Sequence, residues 1–253
     1  MHTRESLLRQ IKEMGIKEDD LITFHISLKS LGDLDTAGTT GADLVLDSFL
    51  ECLPNGLLLV PSHTFRNVRE IAPIYDVRNT MPCIGTLPRI AVERARDAYD
   101  RGDRTCIRSM HPAHSVVAFG KKAYEYTADD AKACSPMPEF GSYRKLLPGK
   151  GKILMIGVPL RNCTYIHAID EYMEPNGVSK PYPVTAIDYE GAETLREVRN
   201  CRGPSGQYGK YMPILQETNS VSFHKLGDAD VILCDVEKMF AAITSVWKEL
   251  NPR

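Results

Sequence analysis

Leu21-Ile22-Thr23-Phe24-His25-Ile26, then Ala42 to Leu53, then Leu57-Leu58-Leu59-Val60 is the stretch whose reading decides the fold. The first run is short and apolar and reads as a buried strand. Between Ala42 and Leu53, the side chains Leu44, Val45, Phe49 and Leu53 recur at helical spacing and share one face. Pro54-Asn55-Gly56 ends that helix, and Leu57 opens a second buried strand. Strand, helix and strand in that order predict parallel pairing, with the helix crossing over one face of the sheet.

The rest of the chain extends this pattern. A helix is expected near Glu5 to Met14, and Arg66 to Pro82, polar and proline-bearing without a clear period, reads as a long functional loop. Helices follow at Thr86 to Tyr99 and Lys121 to Asp129, with a strand at Ser115 to Phe119. Lys152 to Val158 (KILMIGV) is the clearest buried strand, and a short helix should begin near Thr164. A polar strand pair around Val184 to Tyr189, an irregular glycine-rich stretch from Arg202 to Lys210, a strand at Val231 to Cys234 and a helix at Val236 to Leu250 complete the pass. The expected architecture is one α/β domain, residues 1–253. It is a three-layer α/β/α sandwich around a central mixed, largely parallel sheet, with a small C-terminal antiparallel elaboration.

Composition narrows the class. With 253 residues, 43% hydrophobic and 25% charged, the chain can bury a full core. A formal charge of -2 speaks against a nucleic-acid footprint or a polybasic membrane patch. No apolar run approaches the roughly 20 residues of a membrane span, and the opening MHTRESLLRQIKEMGI lacks the apolar core of a signal peptide. The seven cysteines are odd in number and scattered, with no C-x-x-C pair, which fits a reduced cytoplasmic protein with free thiols.

Four segments carry chemistry. His25-Ile26-Ser27-Leu28-Lys29-Ser30-Leu31-Gly32 lies at the carboxyl end of the first strand, where open α/β sheets bind ligands. Its amides and the Ser27 and Ser30 hydroxyls suit phosphate or pantetheine amides, and they equally suit an ordinary turn. Pro61-Ser62-His63-Thr64 ends the second strand at the same sheet edge, where Ser62 or Thr64 could also be caps. Arg108-Ser109-Met110-His111-Pro112-Ala113-His114-Ser115 packs two imidazoles, two hydroxyls and a guanidinium into eight residues. It can line a site, tie a loop by hydrogen bonds or bind a metal, and no cysteine or carboxylate stands beside it for the last role. In Asn162 to Tyr172, His167 falls near a helix N-terminus, where the dipole keeps an imidazole neutral as a general base requires. Asp170 and Glu171 follow on the same helical face, and either can hold its second nitrogen. The alternative is a buried histidine satisfied by a carboxylate. Cys163 and Cys106 lie near histidines but carry no local signature of a thiol enzyme.

Taken together, these segments resemble the aminoglycoside 3-N-acetyltransferase family, the antibiotic N-acetyltransferase type distinct from the GNAT enzymes. The likeness rests on HISLKSLG from His25, Pro61-Ser62-His63-Thr64, Ile84-Gly85-Thr86-Leu87-Pro88 and the complete Arg-Ser-x-His-Pro-x-His-Ser run from Arg108 to Ser115. It continues through Ala118 to Gly120, Ser135-Pro136, Ile156-Gly157-Val158 and the Thr-x-x-His helix Thr164 to His167, in order from Leu21 to Tyr172. The resemblance implies acetyl transfer from the co-substrate acetyl-CoA to a small amine acceptor, in a cytoplasmic monomer or homodimer without metal. It implies cofactor contact at Ser27, Leu28, Lys29, Ser30, Arg108, Ser109 and Ser115, much of it through backbone groups. His167 is the expected base, with Asp170 or Glu171 as its orienting carboxylate and His111 beside them. The acceptor side is expected at His63, Thr64, Asp76 and Glu174.

Three departures bear on the acceptor. Asp170 occupies the slot of the family's usual glutamate, Cys83 that of a common serine, and Arg89 stands where a glutamate is common. The acids facing a polycation must then come from Asp76, Asp170, Glu171, Glu174 or Asp188. Two other function classes remain on the sequence alone. One is a non-catalytic CoA- or sugar-binding relative, and the other is a metal-dependent hydrolase using His111, His114 and His167.

Overall fold

The computed structural model describes residues 1–201, 203 and 205–252. In chain order the elements are α1 (Arg4–Glu13), β1 (Leu21–Ile26), α2 (Gly41–Cys52), β2 (Leu57–Pro61), β3 (Ile74–Asp76), α3 (Thr86–Asp100), β4 (Cys106–Arg108), β5 (Val116–Phe119) and α4 (Ala123–Thr127). They continue as β6 (Lys152–Ile156), α5 (Thr164–Met173), β7 (Tyr182–Ile187), β8 (Glu193–Val198), α6 (Met212–Glu217), β9 (Val221–Leu226), β10 (Ala229–Asp235) and α7 (Val236–Leu250).

Seven strands form one mixed sheet in the order β4-β5-β2-β1-β6-β10-β9. The expected β1-α2-β2 unit is parallel, with Leu21, Ile22 and Thr23 opposite Leu57, Leu58 and Leu59. β6 pairs parallel on the other side of β1. The apolar runs of these three strands feed both faces of the sheet, as side-chain alternation requires. Leu58, Val60, Leu154 and Ile156 join one core cluster with residues of α1, α2 and α3. Leu57, Leu59, Ile153 and Met155 join the other, with α5 and α7. That arrangement is the three-layer sandwich.

The parallel part is smaller than expected. β4–β5, β2–β5, β6–β10 and β9–β10 are all antiparallel. For β4–β5 and β9–β10 the cause is connection length. β9 and β10 are joined across Gly227-Asp228, and β4 returns to β5 through residues 109–115, so neither link can hold a crossover helix. β4, with three residues, and β9, on the sheet edge with alternating polar positions, left no buried run to read. The expected C-terminal pair is the hairpin of β7 and β8. The loop from Arg66 to Pro82 is more ordered than its sequence suggests: β3 lies within it and pairs parallel with β7, closing a three-stranded second sheet. The glycine-rich stretch from 202 to 210 includes Arg202 and Pro204, which lie outside the described residues. Its later part, Ser205–Tyr211, is a 3-10 turn. No helix among the described residues is long and apolar enough to cross a membrane.

Gly157 ends β6 at φ +64°, and a Cβ there would overlap the Cβ of Ser30. The turn after β1 is thereby pressed against the end of β6, with Ser27 N–H donating to Ile156 O at 2.9 Å. Gly157→Ala adds a left-handed strain and a side-chain overlap at once. It should lower stability by roughly 1–3 kcal/mol in a chemical denaturation experiment.

Candidate active site

The carboxyl ends of β1 and β2 open into a cleft of about 480 Å³. Its floor is Phe24, His25, Ile26, Val60 and Pro61, one wall is Gly85, Leu87 and Pro88 at the start of α3, and the other is Val158 and Arg161 to Thr164. Four imidazoles line it: His25, His63, His114 and His167. A second cavity of about 310 Å³ lies further along α5 and is lined by Asp170, Glu171, Glu174, Cys201, Gly203 and Trp247, among others. His167 borders both cavities.

Every one of the four imidazoles is held neutral, chiefly by burial. His25 is lowered to about 4 by desolvation and then by the nearby His167. His63 and His114 are driven well below the usual histidine range by burial and by the neighbouring rings. His167 is lowered by burial, and the charge of Asp170 opposes that shift. The α5 backbone fixes one tautomer: Thr164 N–H donates to His25 Nε2 at 3.2 Å, so neutral His25 carries its proton on Nδ1. His63 Nε2 meets the Tyr143 hydroxyl at 2.5 Å. His114 stacks on Phe65, and its buried Nδ1 has no hydrogen-bond partner among the described residues.

His167 Nδ1 lies 2.6 Å from the Tyr208 hydroxyl, which donates to Asp170 Oδ2 at 2.6 Å. The other oxygen of Asp170 accepts from Trp247 Nε1 at 2.8 Å. The carboxylate expected to hold the histidine is therefore Asp170, through a phenol. Glu171 is not that group: its Oε2 accepts from Met137 N–H at 2.9 Å, although the residue also lines the second cavity. Glu174 lines that cavity too.

Several other expected site residues are structural. His111 Nδ1 accepts from the Ala113 and His114 amides, and its Nε2 bonds Ser135 O, so one nitrogen is spent on its own loop and the other ties that loop to the Ser135 segment. That removes it from the catalytic set and from a metal triad with His114 and His167. Among the described residues, no group of three or more metal-ligating side chains is assembled. Arg108 is 1% exposed, and its guanidinium donates to Val77 O, Thr80 O, Ser62 O and Ser115 Oγ. A buried cation must have its donors paired, and these are. Ser115 Oγ donates to Ser62 O, and Ser109 Oγ accepts from Val116 N–H, so neither hydroxyl reaches the cleft. Thr64 donates its hydroxyl to Pro112 O, and Asp76 caps its own turn through Arg78 and Asn79. Asp188 likewise accepts from the Glu190 and Ala192 amides. Of the turn after β1, Ser30 donates to Ser27 Oγ and lines a shallow depression that shares Val158 with the cleft. Leu28 packs on the core and Lys29 is exposed.

Sequence reasoning missed Tyr208 and Trp247, which come from distant parts of the chain and carry no local motif. His25 stands in the first of the four segments, and no motif there gives its ring a role. The one cue for Trp247 was its being the only tryptophan.

By fold and sequence the protein falls among the acyltransferases. It belongs to the aminoglycoside 3-N-acetyltransferase family, whose sequence model matches residues 24–248. It is 25% identical over 226 residues to aminoglycoside N(3)-acetyltransferase VIII of Streptomyces fradiae, covering 83% of this chain and 76% of that one. It is 27% identical over 181 residues to aminoglycoside N(3)-acetyltransferase III of Serratia marcescens, covering 66% and 63%. The fold matches the solved structure of AAC-IIIb in binary complex with CoASH at a TM-score of 0.80 and 21% identity, over 98% of this chain and 97% of the other. AAC-VIa bound to sisomicin matches at 0.79 and 19%, over 100% and 99%.

The depressed imidazoles link stability to pH. Below the ordinary value of 6.5 the unfolded chain takes up protons that folded His25 refuses until about pH 4. Stability should be full above pH 6.5 and fall as the pH drops toward 4, as read from urea midpoints. His25→Gln should shallow that slope, and an unchanged slope would count against a buried neutral His25.

Proposed function

We propose that the protein transfers the acetyl group of acetyl-CoA to an amine of an aminoglycoside or a related amino compound, with His167 as general base. The observation that carries this reading is that His167 alone of the four imidazoles borders both cavities. A base for a two-substrate transfer must stand where the two meet.

Acetyl-CoA suits the histidine-lined cleft. Arg66 and Arg161 line it and can meet phosphates, Phe24, Ile26 and Leu87 offer apolar wall, and His114 Nδ1 is an unspent polar atom. Ser27 and Ser30, one and four residues beyond Ile26 of the cleft floor, are candidates for pantetheine contact across Val158. The solved CoASH complex of a relative with this fold supports the assignment. The acceptor suits the second cavity, where Asp170, Glu171 and Glu174 supply the acidic lining a polycation needs. The names of the sequence relatives support an aminoglycoside acceptor.

His167 Nδ1 is engaged, so Nε2 is the atom that takes the proton. The amine nitrogen bonds to the thioester carbon while its proton passes to Nε2. The tetrahedral oxyanion collapses, the carbon–sulfur bond breaks, and the imidazolium returns the proton to the thiolate. The first turn of α5 borders the cleft at Thr164, and its positive dipole end supplies potential where the oxyanion grows. No covalent enzyme intermediate is required.

The test is thiol release from acetyl-CoA against a panel of aminoglycosides and simpler amines. His167→Ala should lose about 10²–10⁴ in kcat, the usual contribution of a general base, while CoA binding stays near normal. Undiminished turnover in that variant, or CoA binding with no amine acetylated, would refute the reading.

A further inference from the structure

We infer that Tyr208 is a positioning residue for His167: its phenol carries the charge of Asp170 to the catalytic ring. The inference rests on the proposed role of His167 and adds to it a residue from a different part of the chain. Asp170 stands one helical turn after His167, yet its two oxygens are committed to Tyr208 and Trp247. The phenol fills the remaining gap. It is 2% exposed, accepts from the ring at Nδ1 and donates to the carboxylate, both at 2.6 Å. A phenol that donates to a carboxylate must accept from its other neighbour. That fixes the proton of neutral His167 on Nδ1 and leaves Nε2 as the base.

The surroundings hold this chain of bonds shut. A Cβ on Gly203 would lie 2.9 Å from both Asp170 Oδ2 and the Tyr208 oxygen, so the backbone closes tightly over the pair. Burial and the adjacent carboxylate push the Tyr208 hydroxyl far above its usual range, so the phenol keeps its proton throughout. When Nε2 takes the amine proton, the charge sits on the imidazolium. Tyr208 then accepts a stronger hydrogen bond from Nδ1–H and gives a stronger one to Asp170, and no second proton moves. The other titratable groups around His167 are His25 on β1, His63 after β2 and His114 before β5, with Arg66, Arg161, Cys83 and Cys163 in the cleft and Glu171, Glu174 and Cys201 in the second cavity. The three imidazoles are neutral near pH 7, so the acidic limb of the rate profile reports His167 and what it is bonded to.

The experiment compares Tyr208→Phe, Asp170→Asn, Tyr208→Phe/Asp170→Glu and His167→Ala in the full chain, as kcat and KM across pH. Trp247 emission, from the only indole, checks that Asp170 and its neighbours keep their places. Tyr208→Phe should lower kcat roughly 10–100-fold, less than full loss of the base, with KM for acetyl-CoA unchanged. Its acidic limb should move to lower pH, because the imidazolium has lost its acceptor. Asp170→Asn should move the limb the same way. The added methylene of Asp170→Glu should let the carboxylate reach the ring and recover most of kcat and the limb in the double variant. A wild-type profile in Tyr208→Phe, or lost turnover with an unmoved limb and no recovery, would overturn the inference. If Tyr208→Phe does not fold, an unmoved limb in Asp170→Asn overturns it. Either failure leaves the role of His167 standing as long as His167→Ala is inactive in the same assay.

Discussion

A single buried guanidinium fastens the cleft to the sheet. Among the described residues, Arg108 has no carboxylate partner. It donates instead to the backbone of Ser62 at the end of β2, to Val77 and Thr80 in the segment after β3, and to the Ser115 hydroxyl before β5. Four acceptors from three segments converge on one charge, and removing that charge would leave buried carbonyls unpaired. His63 and His114 are the immediate neighbours of Ser62 and Ser115, so the histidine wall is set by this hub. The Arg-Ser-x-His-Pro-x-His-Ser motif is thus a scaffold whose product is the position of His114. His111 and the two serines serve the loop, and only His114 reaches the cleft.

The same burial that requires this scaffold produces the chemistry. Water-poor surroundings disfavour imidazolium at His25, His63, His114 and His167 alike, which keeps the four rings uncharged near neutral pH. Only His167 has a carboxylate working against that penalty. A ring that is neutral at rest, yet supported once it takes a proton, is what a general base needs. The acids lie further along the same face of α5, in the second cavity, so the two cavities differ in charge character, with the base bordering both.

Much of this was legible in the chain and some was not, for identifiable reasons. β1, α2, β2 and β6 announce themselves because strands buried on both faces read as unbroken apolar runs, and α7 matches its sequence bounds. The antiparallel share of the sheet is hard to read from sequence, since β4 is three residues long and β9 is an exposed edge, and neither presents a long buried run. His167 and Asp170 were legible because helical spacing puts them on one face. At Arg108, Ser115 and Thr64 the motif gives residue types and not the direction a side chain takes, and all three side chains turn into the scaffold. Tyr208 and Trp247 were out of reach because only the tertiary fold brings residues 38 and 77 positions beyond Asp170 against it.

The central claim is that His167 stands at the junction of an acetyl-CoA cleft and an acceptor cavity. A crystal structure of the protein with CoA and a bound aminoglycoside tests it most directly. The account predicts the CoA sulfur at the His167 end of the cleft floored by His25 and Pro61, with an acceptor amine in hydrogen-bond reach of His167 Nε2. A thiol ending elsewhere, or an acceptor amine nearer another base than His167, would contradict it.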